Sequence, residues 1–151
     1  MSIKTRPTTV LCHGVFDLLH PGHLWTLEYA KTLGDRLVVT LTPDEAIVSR
    51  KGHKPVYPLA HRLELVGALK CVDVCVPGRG ATAMWSLKTF DPEAWVRGAD
   101  WRMRHTAVSH AEETYAKQLG TDIVFAPAWD PDYRSSDAVR RVTAWNDHLE
   151  V

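Results

Sequence analysis

The chain has 151 residues, 45% hydrophobic and 24% charged, the composition of a globular protein long enough to bury a core. Its 18 basic and 18 acidic residues cancel, which excludes the strongly basic surface of a nucleic-acid binder and gives no attraction to an anionic membrane. The opening MSIKTRPTT has no signal-peptide core, and no stretch approaches the ~18 apolar residues of a membrane span, so one domain over residues 1–151 in the cytoplasm is expected.

The first element in chain order is the apolar run TTVLCH (8–13), a strand. It leads through GVFDLLHPGH into a helix that should begin near Pro21, where a missing N–H costs nothing, and stop at Gly34. RLVVTLT (36–42) is the second strand, and Thr42-Pro-Asp-Glu45 reads as a capping box that opens a short helix. Pro58 opens the next helix, with Leu59, Leu63, Val66 and Leu69 as its apolar stripe. VDVCVP (72–77), AWVR (94–97) and TDIVFA (121–126) are three more strands. A helix within GATAMWSLKTF separates the first two, and a helix capped by Ser109-x-x-Glu112 and ended at Gly120 separates the last two. Ser135 or Ser136 caps a closing helix, DAVRRVTAWNDHL.

The strand runs are nearly continuously apolar, as strands covered on both faces must be. Alternation with helices therefore predicts an α/β fold: a Rossmann-like, doubly wound, five-stranded parallel sheet with helices on both faces. Cys12, Cys71 and Cys75 lie in these runs and read as buried free thiols; Cys71-x-x-x-Cys75 lacks the second pair a zinc site needs.

Ligands of such sheets sit beyond the carboxyl ends of the strands. That edge carries HGVFDLLHPGH, PDEAIVSRKGHK, GRGAT, GADWR and PAWDPDYRSSD. A helix starting at Pro21 presents free N–H groups and the positive end of its dipole, an anion site. Gly14 allows close backbone approach, and His20 and His23 in the first turn are neighbours able to donate to phosphate oxygens. Lys51 and Lys54 arrive from the next crossover, and Ser135 and Ser136 from the last helix start. Other readings stand beside this one: a zinc pair with Asp17 or His13 as third ligand, or two rings that merely cap and pack. SRKGHK is a solvated loop or a site, and among the tryptophans only Trp101 is placed to meet a base or sugar. No GxxxxGK[ST] and no GxGxxG after the first strand occur, which disfavours P-loop kinases and dinucleotide oxidoreductases.

GVFDLLHPGH resembles the GxFDxxHxGH signature of the cytidylyltransferase-like nucleotidyltransferases. Further blocks follow in the family's order over residues 9 to 142: LGDRLVVTLTPDE, KGHKPVYPLAHRLELVGALKCVDVCV, VRGADW and DYRSSDAVRR. The wording is nearest to sugar-phosphate nucleotidyltransferases, including the adenylyltransferase domains that make ADP-heptose. Glycerol-3-phosphate cytidylyltransferases come next, but WDPDYRSSD stands where they carry RTxGIST. Arg97 replaces a lysine, Arg134 replaces the first residue of a Ser-Thr-Thr triplet, and KGHKPV is one residue shorter than its counterpart.

The resemblance implies that a phosphate-monoester oxygen attacks the α-phosphate of an NTP, ATP in first place, and pyrophosphate leaves. It assigns catalysis to His20, His23 and Lys51. Nucleotide contacts fall to Gly14, Val15, Phe16, Gly22, Arg97, Gly98, Asp100, Trp101, Ser135 and Ser136, and acceptor contacts to Asp17, Lys54 and Arg62. Mg²⁺ travels with the triphosphate, no protein metal site is implied, and a homodimer is the family expectation. A glycerol- or amino-alcohol-phosphate cytidylyltransferase, a nucleotide-binding regulator without activity and a zinc hydrolase complete the range.

Overall fold

The β-branched runs pair as a five-stranded, wholly parallel sheet. The computed structural model describes residues 6–130 and 140–141. Its strands are β1 (Thr9–Gly14), β2 (Arg36–Leu41), β3 (Val74–Pro77), β4 (Ala94–Arg97) and β5 (Asp122–Phe125). Between them lie α1 (Pro21–Thr32), α2 (Asp44–Lys51) followed by α3 (Leu59–Gly67), α4 (Met84–Phe90), and a 3₁₀ turn (Ala99–Met103) followed by α5 (Ala107–Gln118). The strands lie in the order β3-β2-β1-β4-β5, so the direction of progress across the sheet reverses after β3 and β1 and β4 become neighbours, with Cys12 opposite Val96. Their carboxyl ends flank the switch point at which ligands of such sheets bind.

Alternation along each strand sends side chains to two cores. Val10, Cys12 and Val39 pack with Leu27 and Ala30 of α1 and Val66 of α3. Leu11, Val38 and Trp95 pack with Leu87 of α4 and Ala116 of α5. The switch point is thus approached by α1 from one face and by α4 and α5 from the other. Of the cysteines, Cys12 is buried, and Cys71 and Cys75 are half-buried free thiols; burial pushes all three thiols upward.

Two caps differ from the sequence reading. Pro43, not Thr42, precedes α2, because the Thr42 carbonyl accepts from Arg62 and its side chain is buried beside His13. Thr106 caps α5 by accepting from the Ser109 N–H, while the Ser109 hydroxyl accepts from Arg97. The expected closing helix lies outside the described residues apart from Arg140 and Arg141, both helical. Among the described residues no helix is long and apolar enough to cross a membrane.

Candidate active site

β1 ends at Gly14, where a Cβ would come within 2.9 Å of the Phe16 ring, so a larger residue here requires that ring to shift. Phe16 and Leu18 both take φ of 50°, a left-handed conformation costly for side chains of this size. The turn delivers His20 to the N-cap of α1. There the Gly22 N–H donates to His20 Nδ1 at 3.0 Å, and the His20 N–H donates to His23 Nδ1 at 3.4 Å. This is a capping box built from two histidines. The rings stack with centroids 3.8 Å apart, and Phe16 tilts against His23 at 5.3 Å.

That cap sets the chemistry of the pair. A ring nitrogen that accepts a hydrogen bond carries no proton, so each neutral ring holds its proton on Nε2 and is a donor there. Desolvation lowers the pKa of His20. Desolvation, then the His20 ring, brings His23 down to about 4 against a weaker upward pull from Asp17. His23 is therefore neutral at physiological pH. The capping reading and the donor reading are both true of the same two rings, through different nitrogens. One expected contact changes: the Gly22 N–H is spent on His20 and is not open to a nucleotide.

Arg62 does not reach an acceptor as the sequence reading has it. It is fully buried, donating through Nε to the Tyr57 carbonyl at 3.0 Å and through Nη1 to the Val15 carbonyl at 2.7 Å. Its Nη2 meets the Thr42 carbonyl at 2.9 Å and Asp44 at 2.6 Å. The Val15 carbonyl is thereby spoken for as well. Asp17 accepts from the Val56 and Tyr57 N–H groups at 2.7 and 3.0 Å, which ties the α2–α3 loop to the β1–α1 turn. Lys51 is the exposed last residue of α2. Lys54 lines a cavity of about 670 Å³ with Asp44 and Glu45, and neither histidine lines that cavity.

At the exit of β4, Arg97 is also a framework residue and not an open nucleotide contact. Its Nη1 lies 2.8 Å from Glu113 and 3.0 Å from the Ser109 hydroxyl, and its Nη2 lies 3.7 Å from Glu112. Desolvation lowers Arg97 and raises Glu112, opposed in each case by the attraction between them. Trp101 carries the Arg97 guanidinium 4.3 Å from its ring centre and that of Arg104 at 4.8 Å, so the residue read as a base or sugar contact also stacks with two cations. Asp100 pairs with Arg104 at 2.8 Å, and a Cβ on Gly98 would come within 2.9 Å of the Asp100 carboxylate. Ser135 and Ser136 lie outside the described residues.

Two residues take places that the sequence reading did not give them. His13 bonds Thr40 at 2.9 Å, and Thr40 bonds Ser86 of α4 at 2.8 Å, a polar chain through the α4/α5 face. Desolvation brings His13 down to about 4. Arg50 lies with its guanidinium 5.8 Å from the Trp101 ring. Among the described residues no group of three or more His, Cys, Asp or Glu is gathered as a metal ion requires.

Comparison with known proteins finds relatives of this chain. The family model described as cytidylyltransferase-like matches residues 11–142. The bifunctional protein HldE of Methylococcus capsulatus is 40% identical over 102 residues, 67% of this chain but 22% of that protein. The chain thus spans under a quarter of the length of that relative. The FAD synthase of Thermococcus sibiricus is 34% identical over 125 residues, 82% of this chain and 83% of that protein. Among solved structures, the lipopolysaccharide core biosynthesis protein of Thermoplasma volcanium superposes with a TM-score of 0.71 at 28% identity, covering 83% of this chain and all of that one.

Proposed function

The chain belongs to the cytidylyltransferase-like family of nucleotidyltransferases, and from that premise we propose that it transfers an adenylyl group from ATP to a phosphate-monoester acceptor and releases pyrophosphate. The acceptor favoured by the sequence blocks and by the HldE relatives is a sugar phosphate such as heptose 1-phosphate. An acceptor phosphate oxygen attacks the α-phosphorus. The bond from that phosphorus to the α–β bridging oxygen breaks, and its electron pair leaves with pyrophosphate.

The observation that carries this reading is the pair of Nε2–H donors on His20 and His23, set by their own cap at the start of α1 beside the β1/β4 switch point. Phosphoryl-group chemistry of this kind asks for positioning and charge stabilisation, with little covalent work from the protein. Neutral donors suit it, since they stabilise developing charge on phosphate oxygens without giving up a proton. Lys51 adds positive charge at the α-phosphate, and backbone at Phe16, with Ser135 and Ser136, holds the remaining phosphates. The 3₁₀ turn from Gly98 to Trp101 borders the base. Mg²⁺ enters with the triphosphate as part of the substrate. The same reading includes a homodimer in the cytoplasm, which light scattering and cell fractionation check.

One observation favours a second acceptor, flavin mononucleotide. The FAD synthase relative matches this chain over most of its own length, whereas HldE is far longer. A pyrophosphate-release screen decides between them. ATP, CTP and GTP are each offered with heptose 1-phosphate, other sugar 1-phosphates, flavin mononucleotide and glycerol 3-phosphate. Release with ATP and a sugar phosphate is expected; release only with flavin mononucleotide, or only with CTP and glycerol 3-phosphate, replaces the acceptor, and no release with any pair overturns the activity.

A further inference from the structure

Three guanidiniums, those of Arg50, Arg97 and Arg104, come to the Trp101 ring, and among these three only Arg50 has no carboxylate partner among the described residues. Arg97 is buried between Glu112 and Glu113, so two carboxylates balance its charge and both its Nη groups meet a partner. Arg50, on the last turn of α2, makes no hydrogen bond or ion pair with any described residue, and it is exposed. Its guanidinium nevertheless reaches across to the β4 exit, 5.8 Å from the centre of the Trp101 ring, and its charge bears on both His13 and Glu112. Arg50 and Lys51 follow the buried Ile47 by three and four positions, so they flank it on the same helix face.

An in-line displacement at phosphorus sets the attacking and leaving oxygens on opposite sides. His20 and His23 belong to α1, which packs on the sheet face of Leu27 and Ala30. His13, Thr40, Ser86, Arg97 and Glu112 lie on the other face, with α4 and α5. If the triphosphate is held from the α1 side, the attacking phosphate comes from the side where Arg50 stands. A guanidinium with unspent, forked donors matches two oxygens of a phosphate monoester.

We propose that Arg50 receives the phosphate group of the acceptor, pairing with two of its non-attacking oxygens and aiming the third at the α-phosphorus. The proposal rests on the nucleotidyltransferase reading and adds to it the residue that selects a phosphorylated acceptor.

The test is calorimetric. Wild type, Arg50→Ala and Arg50→Lys are first saturated with Mg²⁺ and α,β-methylene-ATP, which cannot be cleaved at the bond concerned, and inorganic phosphate is then titrated in. Loss of charge-assisted hydrogen bonds predicts phosphate affinity roughly 10- to 100-fold weaker in Arg50→Ala. Arg50→Lys should fall between, with affinity for the nucleotide analogue unchanged in both variants. Phosphate bound as tightly by Arg50→Ala as by wild type, no phosphate binding by wild type, or an equal loss of affinity for the analogue would each overturn the proposal. Failure of wild type to bind the analogue at all would instead count against the nucleotidyltransferase reading. Titration of phosphate into the free proteins then still decides Arg50.

Discussion

Arg62 and Arg50 both belong to the β2–β3 crossover, and the fold uses them in opposite ways. Arg62 is buried with four acceptors around it, three carbonyls and a carboxylate, and it ties the β1–α1 turn to α2 and α3. Arg50 has no hydrogen-bond acceptor among the described residues and faces the switch point. The histidines divide in a similar way. His13 is held by Thr40 inside the sheet, whereas His20 and His23 commit Nδ1 to the backbone and keep Nε2–H as a donor. Residues whose polar groups are spent on the framework should govern stability. Residues whose side-chain donors stand at the switch point should govern chemistry.

The strongest way to break that division is Arg62→Ala. Removing one partner of a buried ion pair strands the rest, here three carbonyls and Asp44, at a cost of about 3–5 kcal/mol. For a chain of this size the melting temperature should fall by roughly 10 °C, read by scanning calorimetry. A variant that melts like wild type yet loses affinity for the acceptor would return Arg62 to the substrate-contact role its sequence block implies.

The histidine pair sharpens the other half. Loss of one preorganised donor lowers kcat about 10²–10³-fold, or roughly 3–4 kcal/mol. His20→Ala removes the cap as well and adds about 1 kcal/mol of instability. His20→Asn separates the two: its side-chain oxygen still accepts from Gly22, but the Nε2 donor is gone. The expected outcome is a melting temperature near wild type with kcat down by the same factor, and His23→Ala should show the same fall in kcat. Wild-type turnover in His20→Asn or His23→Ala would remove that ring from the mechanism.

Acid tests the spent histidine. His13 titrates at about 4 in the folded protein, against about 6.5 in an unfolded chain. Between those values the unfolded chain takes up a proton that the folded one refuses. The stability due to the neutral ring is therefore complete above pH 6.5, declines as pH falls, and is lost by pH 4. The full difference is about 3 kcal/mol. Denaturant melts at pH 7.5, 5.5 and 4.5 should show a shallower acid loss in His13→Asn than in wild type. Parallel curves would mean that His13 already titrates normally in the fold.

These assignments also explain what the sequence disclosed. Strands buried on both faces announce themselves as apolar runs, so their ends were legible to within two residues, and with them the edge that carries His20 and His23. The fates of Arg62 and Arg97 were not legible, because their partners lie on other elements: Asp44 on α2, Glu112 and Glu113 on α5. Caps failed for the same reason. Thr42 and Ser109 each fit a local capping pattern, but Arg62 takes the carbonyl of the first and Arg97 the hydroxyl of the second. Arg50 carried a local signal, three positions beyond buried Ile47, but family motifs draw attention to its neighbour Lys51.

Asp17 lies between the two classes and gives the smallest expected effect. Both carboxylate oxygens accept backbone N–H groups, from Val56 and Tyr57, so the residue is spent on holding the loop that leads from Lys51 to α3. Asp17→Asn keeps one acceptor and turns an amide donor toward the other N–H, a loss of about 1–2 kcal/mol. Because the loop and not the reacting phosphate is loosened, KM for the acceptor should rise a few-fold while kcat stays within a factor of two. A fall in kcat comparable with that of His20→Asn, at unchanged stability, would place the Asp17 carboxylate on the substrate itself and move it across the division that Arg62 and Arg50 define.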